Sequence, residues 1–396
     1  MSENSDVLNA LLTQLQSKFP HTPLGPSELL ALTKSLVALA PSIHTAPSSV
    51  TSNVRRYLAS ATLPSMRLGP AAPPLPMEGH KTHLNTLAVK PESYRTLDTM
   101  HRLRYPVLSE YGLKFIDDHV SSTPYEESLA HGEYINIPAP SFDIPLREPP
   151  LPEDVFQVCK WVTYFALETI ECILHLVLPE TRRWSFDLDK KDDVDEELLR
   201  HVTWRFKTTL IQSVEDTWRS SLTVIIQPPW ILSRKELELF VSCSVLATNQ
   251  SSAHDKDYES HERVWGKIWD TCVCKRSQWF VLTTYFGWVF GAFSREWTKA
   301  FVSDIISYDS TCPTVLECLF YWFASASEVP GGWTIPEVSE LISDPALPDS
   351  IPKSTDRLQI APSESDWDAK SDTRSVDGSG VVSEDNFTHE VPFRNW

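Results

Sequence analysis

This chain is short of glycine, and its cationic side chains are outnumbered by acidic ones. Twelve of 396 residues are glycine, and none lies between Gly132 and Gly266. That gap removes the phosphate cradles. Neither a P-loop nor a GxGxxG fingerprint can be written, because both need glycine where backbone approaches phosphate. No GxSxG nucleophile elbow exists. No HExxH zinc motif exists either, since His261-Glu262 is followed by Trp265 where the second histidine belongs. Lys and Arg number 35 against 53 Asp and Glu, a net charge of −18. Such a balance opposes general binding to duplex nucleic acid, which needs cations to neutralise phosphates. It equally opposes docking on anionic membranes. The opening MSENSDVLNALL lacks the basic start and unbroken apolar stretch of a secretory leader.

Long apolar runs are also short of what a membrane requires. Residues 155–178 carry Lys160, Glu168, Glu171 and His175, charges that are costly in lipid. Residues 279–293 are uncharged but fall below the ~20 residues needed to span. Seven cysteines, mostly inside apolar segments, read as buried reduced thiols. The chain is therefore expected to be intracellular, cytoplasmic or nuclear, without a membrane span.

Proline and tryptophan divide what remains. Nineteen of 30 prolines fall in the first 152 residues, whereas no tryptophan precedes Trp161 and twelve of 14 lie between Trp161 and Trp333. This predicts four parts. Residues 1–61 read as short helices, with stripes Leu8/Leu11/Leu12/Leu15, Leu29/Leu30/Leu36/Val37 and Val50/Val54/Leu58. Residues 62–152 read as a Pro-rich linker with one helix near 93–103. Residues 153–342 form an aromatic-rich core. Residues 343–396, with 5 basic and 12 acidic groups from residue 340 on, read as a disordered acidic tail carrying SESDWD and SED, which resemble acidic kinase sites.

Within the core, periodicity predicts helices over 153–178, 194–218, 233–246 and 259–275. The second rests on Leu198, Val202, Phe206, Leu210, Val214 and Trp218, all four apart. Ser233/Glu236, Thr314/Glu317 and Thr334/Glu337 have capping-box spacing and predict three helix starts. SLTVIIQ reads as a buried strand ended by Pro228 and Pro229, and FVLTTY and WVFGAF as a hairpin turning at Phe286–Gly287. A third strand is expected at 297–306. The fold class expected is α+β, helix-rich: a small mixed sheet (221–227, 280–293, 297–306) packed by long helices, with a helical N-terminal arm.

Candidate chemistry is sparse. Cys272 and Cys274 are two apart, so on a helix they face different ways. His80 and His83 sit in the linker without an acidic or thiol partner. His254, Asp257 and His261 read as a solvated loop. The acidic run FDLDKKDDVDEE (186–197) has two readings. Asp187 and Asp189 with a backbone carbonyl could hold a hard cation. Alternatively, Asp192, Asp193, Asp195 and Glu196 sit against the dipole of a helix start.

Two resemblances follow from longer blocks. ERVWGKIWDTCVCKRSQWFVLTTYFGWVFGAFS (262–294) resembles the closing part of restriction-endonuclease-like domains, where a helix leads into an FVLTNG-type strand and then WxF. That resemblance implies Mg²⁺ held by an acid and an acid-x-Lys triplet on neighbouring strands, with the lysine helping to activate water. The positions it points to are Glu180, Asp187, Asp189 and Lys191. The family's Pro-Asp stands here as Pro179-Glu180. The blocks TVIIQPPWILS, FVLTTYFGWVFGAFS and PTVLECLFYWFAS resemble uncharacterised proteins of mushroom-forming fungi, a family to which no function attaches. Three functions are thus expected, in order. The first is a non-enzymatic interaction or scaffold protein with a protein partner and no cofactor. The second is a divergent or degenerate nuclease-like domain needing Mg²⁺. The third is a small-molecule module with a Trp-lined pocket.

Overall fold

The computed structural model describes Val50 and residues 53–89, 95–125, 133–188, 195–207, 219–246 and 258–340. In chain order the elements are helix α1 (Val54–Ser60), strand β1 (Thr99–Arg102) and helix α2 (Glu110–His119). Helix α3 (Val155–Trp161) passes through a π-helical turn (Val162–Leu167) into α4 (Glu168–Val177). Three strands follow, β2 (Trp184–Leu188), β3 (Arg200–Phe206) and β4 (Arg219–Ile226), then helices α5 (Arg234–Ser242) and α6 (Ser260–Lys275). Strands β5 (Trp279–Thr283), β6 (Gly287–Phe293), β7 (Lys299–Val302) and β8 (Ile306–Ser307) precede helix α7 (Val315–Ala326).

The strands join in one mixed eight-stranded sheet of order β1-β7-β6-β5-β4-β3-β2, with β8 also on β6. β2, β3 and β4 form an antiparallel meander. The crossover through α5 and α6 lays β5 parallel to β4, as a parallel pair requires a long connection. Successive side chains of a strand point to opposite faces, and both faces here are covered. Trp279 meets Trp322 of α7 at 4.8 Å, whereas its neighbour Phe280 meets Trp265 of α6 at 5.9 Å. This explains why β5 and β6 are buried at every position rather than alternately. At the centre Phe280 pairs with Gly291 and its ring lies over that residue. A Cβ on Gly291 would come within 2.2 Å of the Phe280 ring.

Several expectations hold locally. Residues 153–178 are helical around the π turn, and the Asp154 side chain caps the start by accepting from the Gln157 N–H at 2.7 Å. The boxes Ser233/Glu236 and Thr314/Glu317 are formed with both reciprocal hydrogen bonds. The hairpin forms but turns one residue earlier than expected, at Tyr285–Phe286, and Gly287 opens β6.

Others are corrected. The fold is α+β, but the sheet is not small: β1, β2 and β3 were not foreseen. The helix expected over 194–218 is replaced by β3 at Arg200–Phe206. Apolar residues four apart satisfy a period of two as well as 3.6, and Val202, Trp204 and Phe206 complete the alternation with β-favouring side chains. Residues 208–218 lie outside the described ones. The helix expected near 93–103 gives strand β1 instead, parallel to β7. Thr334 and Glu337 start no helix, and residues 333–340 run extended past Pro336. The strand expected at 297–306 is two short ones, β7 and β8.

Described residues before 153 share the core. Tyr57, Leu58, Leu63, Met66, Phe115 and Ile137 are buried in the same cluster as Trp161 and Trp322. Buried ion pairs fasten this early segment from the other face. Arg95 meets Asp270 of α6 at 3.1 Å, with side chains 1% and 8% exposed. Gly266 leaves room for it, since a Cβ there would touch the guanidinium at 3.1 Å. The remaining N-terminal stripes before Val50 and the acidic tail from residue 341 lie outside the described residues.

Candidate functional site

Of the positions singled out for metal-dependent chemistry, Glu180 and Asp187 lie among the described residues. Glu180 is exposed on a 3₁₀ turn (Pro179–Arg183). Asp187, on the rim end of β2, is held by Arg205 of the neighbouring β3 at 2.5 Å. Asp189 and Lys191 lie outside the described residues, as do Asp192, Asp193, His254 and Asp257. Asp195 does not start a helix. It lies in a turn before β3, meets Lys267 of α6 at 2.9 Å and accepts the Ala88 N–H. Among the described residues no group of three or more His, Cys, Asp or Glu side chains is placed to hold a metal ion.

Thiol chemistry is disfavoured on physical grounds. Burial pushes the Cys159 and Cys243 thiols up to about 11, and it pushes Cys172, Cys272 and Cys318 higher still. They stay protonated near neutrality, and the thiolate is the nucleophile. Cys272 is buried and Cys274 exposed, so the pair does face different ways. The tryptophans are mainly core: Trp161, Trp204, Trp265, Trp269, Trp288 and Trp322 are fully buried.

One groove combines charge and aromatic surface. It has a volume of about 430 Å³ and lies where β1 runs beside β7. Parallel register places Thr99 opposite Lys299 and His101 opposite Phe301. Side chains two apart share a face, so Lys299, Phe301 and His101 project together. His101 stacks on Phe301 at 5.7 Å. Arg102 and Arg104 follow at the end of β1 and line the same groove, with Val107 beyond them. Trp333 closes the floor, stacked on Trp322 at 5.3 Å and edge-on to Phe301 at 6.1 Å. The far wall is the extended segment 336–339.

That segment is pinned at its end by Glu340. Its carboxylate accepts from the Ser294 hydroxyl, from Thr298 Oγ1 at 2.6 Å and from the Glu296 N–H at 2.9 Å. Burial alone would raise the Glu340 carboxyl, but these donors hold it below the usual carboxylate range. The outer edge of β1 is closed, because the Met100 N–H donates to Ser244 and the Leu246 N–H to Asp98.

Among the described residues no carboxylate lines the groove. Arg102 has a partner outside it, Asp304 at 3.0 Å, an ion pair with both side chains more than half exposed. Such pairs hold weakly and yield readily to a competing anion. The arrangement can therefore bind an apolar or aromatic group in its floor and carboxylates at its rim. The signal in the sequence is HRLR at 101–104, a local basic cluster in an acidic chain, which periodicity alone passes over.

A second groove of about 470 Å³ follows the exposed side of the π turn, with Phe156, Lys160, Tyr164, Glu168 and Leu188 among its lining. Next to it Glu133, Glu171 and His175 meet the edge of β2. The sequence shows Glu168, Glu171 and His175 at helical spacing, but nothing in it places Glu133 beside them.

No protein-family model matches the chain, and no curated protein or solved structure matches it. Among the described residues no helix is long and apolar enough to cross a membrane.

Proposed function

We propose that this chain is a non-enzymatic interaction protein, and that its β1/β7 groove takes a short acidic segment of a partner protein centred on an apolar side chain. One observation carries this reading: a groove ringed by His101, Arg102, Arg104 and Lys299, with no carboxylate among its described lining residues, on a chain of net charge −18. Cations gathered around an aromatic floor suit acidic-motif recognition. The acidic remainder repels long polyanions, so a segment with few charges fits better than a nucleic-acid duplex.

The probe is a labelled short peptide with Phe-Leu flanked by Asp and Glu, followed by fluorescence anisotropy. Binding is expected to weaken by about ten-fold or more on Arg104→Glu with Lys299→Glu, and to weaken with salt. Equal binding by wild type and the charge-reversed variant would overturn the reading.

A second reading is a divergent nuclease-like domain. It is favoured by the order α6, β5, β6 within residues 262–294, the helix-to-strand run that the resemblance implies. Its test is Mg²⁺-dependent cleavage of DNA lost on Asp189→Ala. Absence of cleavage in wild type with Mg²⁺ removes it.

A further inference from the structure

Among the described residues no strand pairs with the outer edge of β2. An uncovered edge is an open template for another strand, and proteins usually block it. Here side chains of α4 do so. The Phe186 N–H faces the Glu171 carboxyl and favours its ionised form. The Trp184 carbonyl accepts from His175 Nε2 at 2.9 Å. His175 Nδ1 faces Glu133 Oε1 at 2.6 Å.

The proton count follows from hydrogen-bond chemistry. Facing a carbonyl, Nε2 must donate. In a neutral ring Nδ1 is then an acceptor, and beside an ionised carboxylate it would set lone pair against lone pair. The His175–Glu133 pair therefore holds one proton more than a neutral imidazole beside a carboxylate, whether that proton rides on the ring or on the carboxyl. We propose that Glu133, Glu171 and His175 form a proton-dependent clasp that holds the edge of β2 against α4, and that losing the proton above neutral pH releases this edge.

The surroundings support the sign. Glu168 lies one turn before Glu171 on the same helix. From the 3₁₀ turn, Arg182 Nε donates to the His175 carbonyl at 3.1 Å. β2 and β3 present aromatic rings, with Trp204 stacked on the imidazole at 6.3 Å. Their charged pair, Asp187 and Arg205, is engaged with itself. On α7, Glu317 is held at its own helix start by the Thr314 N–H. Burial works against a charged imidazole, but the hydrogen bond and charge of Glu133, the charge of Glu171 and the Trp184 carbonyl outweigh it and raise His175. Burial also raises Glu171, to about 7, although the imidazole charge and the Phe186 N–H oppose it.

The test uses the full chain. The His175 ring is followed by nitrogen NMR, and exchange of the Phe186 amide is compared with that of Val224 in central β4, both corrected for intrinsic rates. Between about pH 6 and about pH 8.5 the protection of Phe186 relative to Val224 is expected to fall about ten-fold or more. In Glu133→Gln, which keeps an acceptor but removes the charge, that ratio is expected to stay flat. The wild-type measurement decides even where the variant fails to fold. Ring nitrogen shifts that do not change between about pH 6 and about pH 8.5, or a constant wild-type ratio, would overturn the clasp.

Discussion

Asp270→Ala is the sharpest perturbation of the fold that carries the groove. Asp270 receives the Arg95 guanidinium at 3.1 Å, and both side chains are buried. At that separation the direct attraction is about 5 kcal/mol for an effective dielectric of about 20, before desolvation is charged against it. Removing the carboxylate takes this ion-pair partner from Arg95, whose guanidinium lies 5.9 Å from the Trp269 ring. Breaking a buried pair from one side costs about 3–5 kcal/mol, and much of that is the stranded charge. Urea unfolding monitored by tryptophan fluorescence should therefore show a midpoint lower by about 1 M or more. The double variant Arg95→Met with Asp270→Leu strands no charge and should recover most of the loss. Arg95 lies just before β1, so the single variant should also loosen the groove. A loss below about 1 kcal/mol for Asp270→Ala, or a double variant as unstable as the single one, would refute this account.

Other outcomes follow from the same packing. Gly291→Ala forces the Phe280 ring to move and should cost about 1–3 kcal/mol by urea unfolding, with Gly291→Val worse. Asp187→Asn loses an ion pair with a half-exposed carboxylate and should change stability by no more than about 1 kcal/mol. Stability should fall as pH rises from about 5.5 to about 8, by roughly 2 kcal/mol, because the native state holds protons that the unfolded chain releases. The sign comes from two groups raised on folding. The His175 contribution is full below its ordinary value and is lost as pH rises through the raised one. Glu171 remains protonated up to about 7 while its unfolded counterpart ionises near 4.5. Glu171→Gln should flatten part of that slope.

The sequence was readable where a local rule sufficed. Ser233 with Glu236 and Thr314 with Glu317 announce helices because a cap is decided within four residues. The hairpin of β5 and β6 was readable because its apolar strands flank a short turn. Leu198, Val202 and Phe206 misled because spacing by four is shared by both periods, and pairing with β2 and β4 decided the matter. Thr334 and Glu337 have the spacing of a cap, but Trp333 packs on Trp322 and Glu340 is drawn to Ser294, which holds the segment extended. Strand β1 was hidden in a proline-rich stretch because its partner β7 lies about two hundred residues away, and long-range pairing leaves no periodic trace in so short a strand. The groove shares that origin. HRLR is visible as a basic cluster, but only the β1/β7 register sets His101 on Phe301 and beside Lys299.

Hydrogen exchange of the full chain with and without the acidic Phe-Leu peptide tests the interaction reading most directly. Protection confined to residues 101–104, 299–301 and 333–339, and absent in the Arg104→Glu, Lys299→Glu variant, is the result predicted. Protection along 156–164 instead, or no peptide-dependent protection, would contradict it.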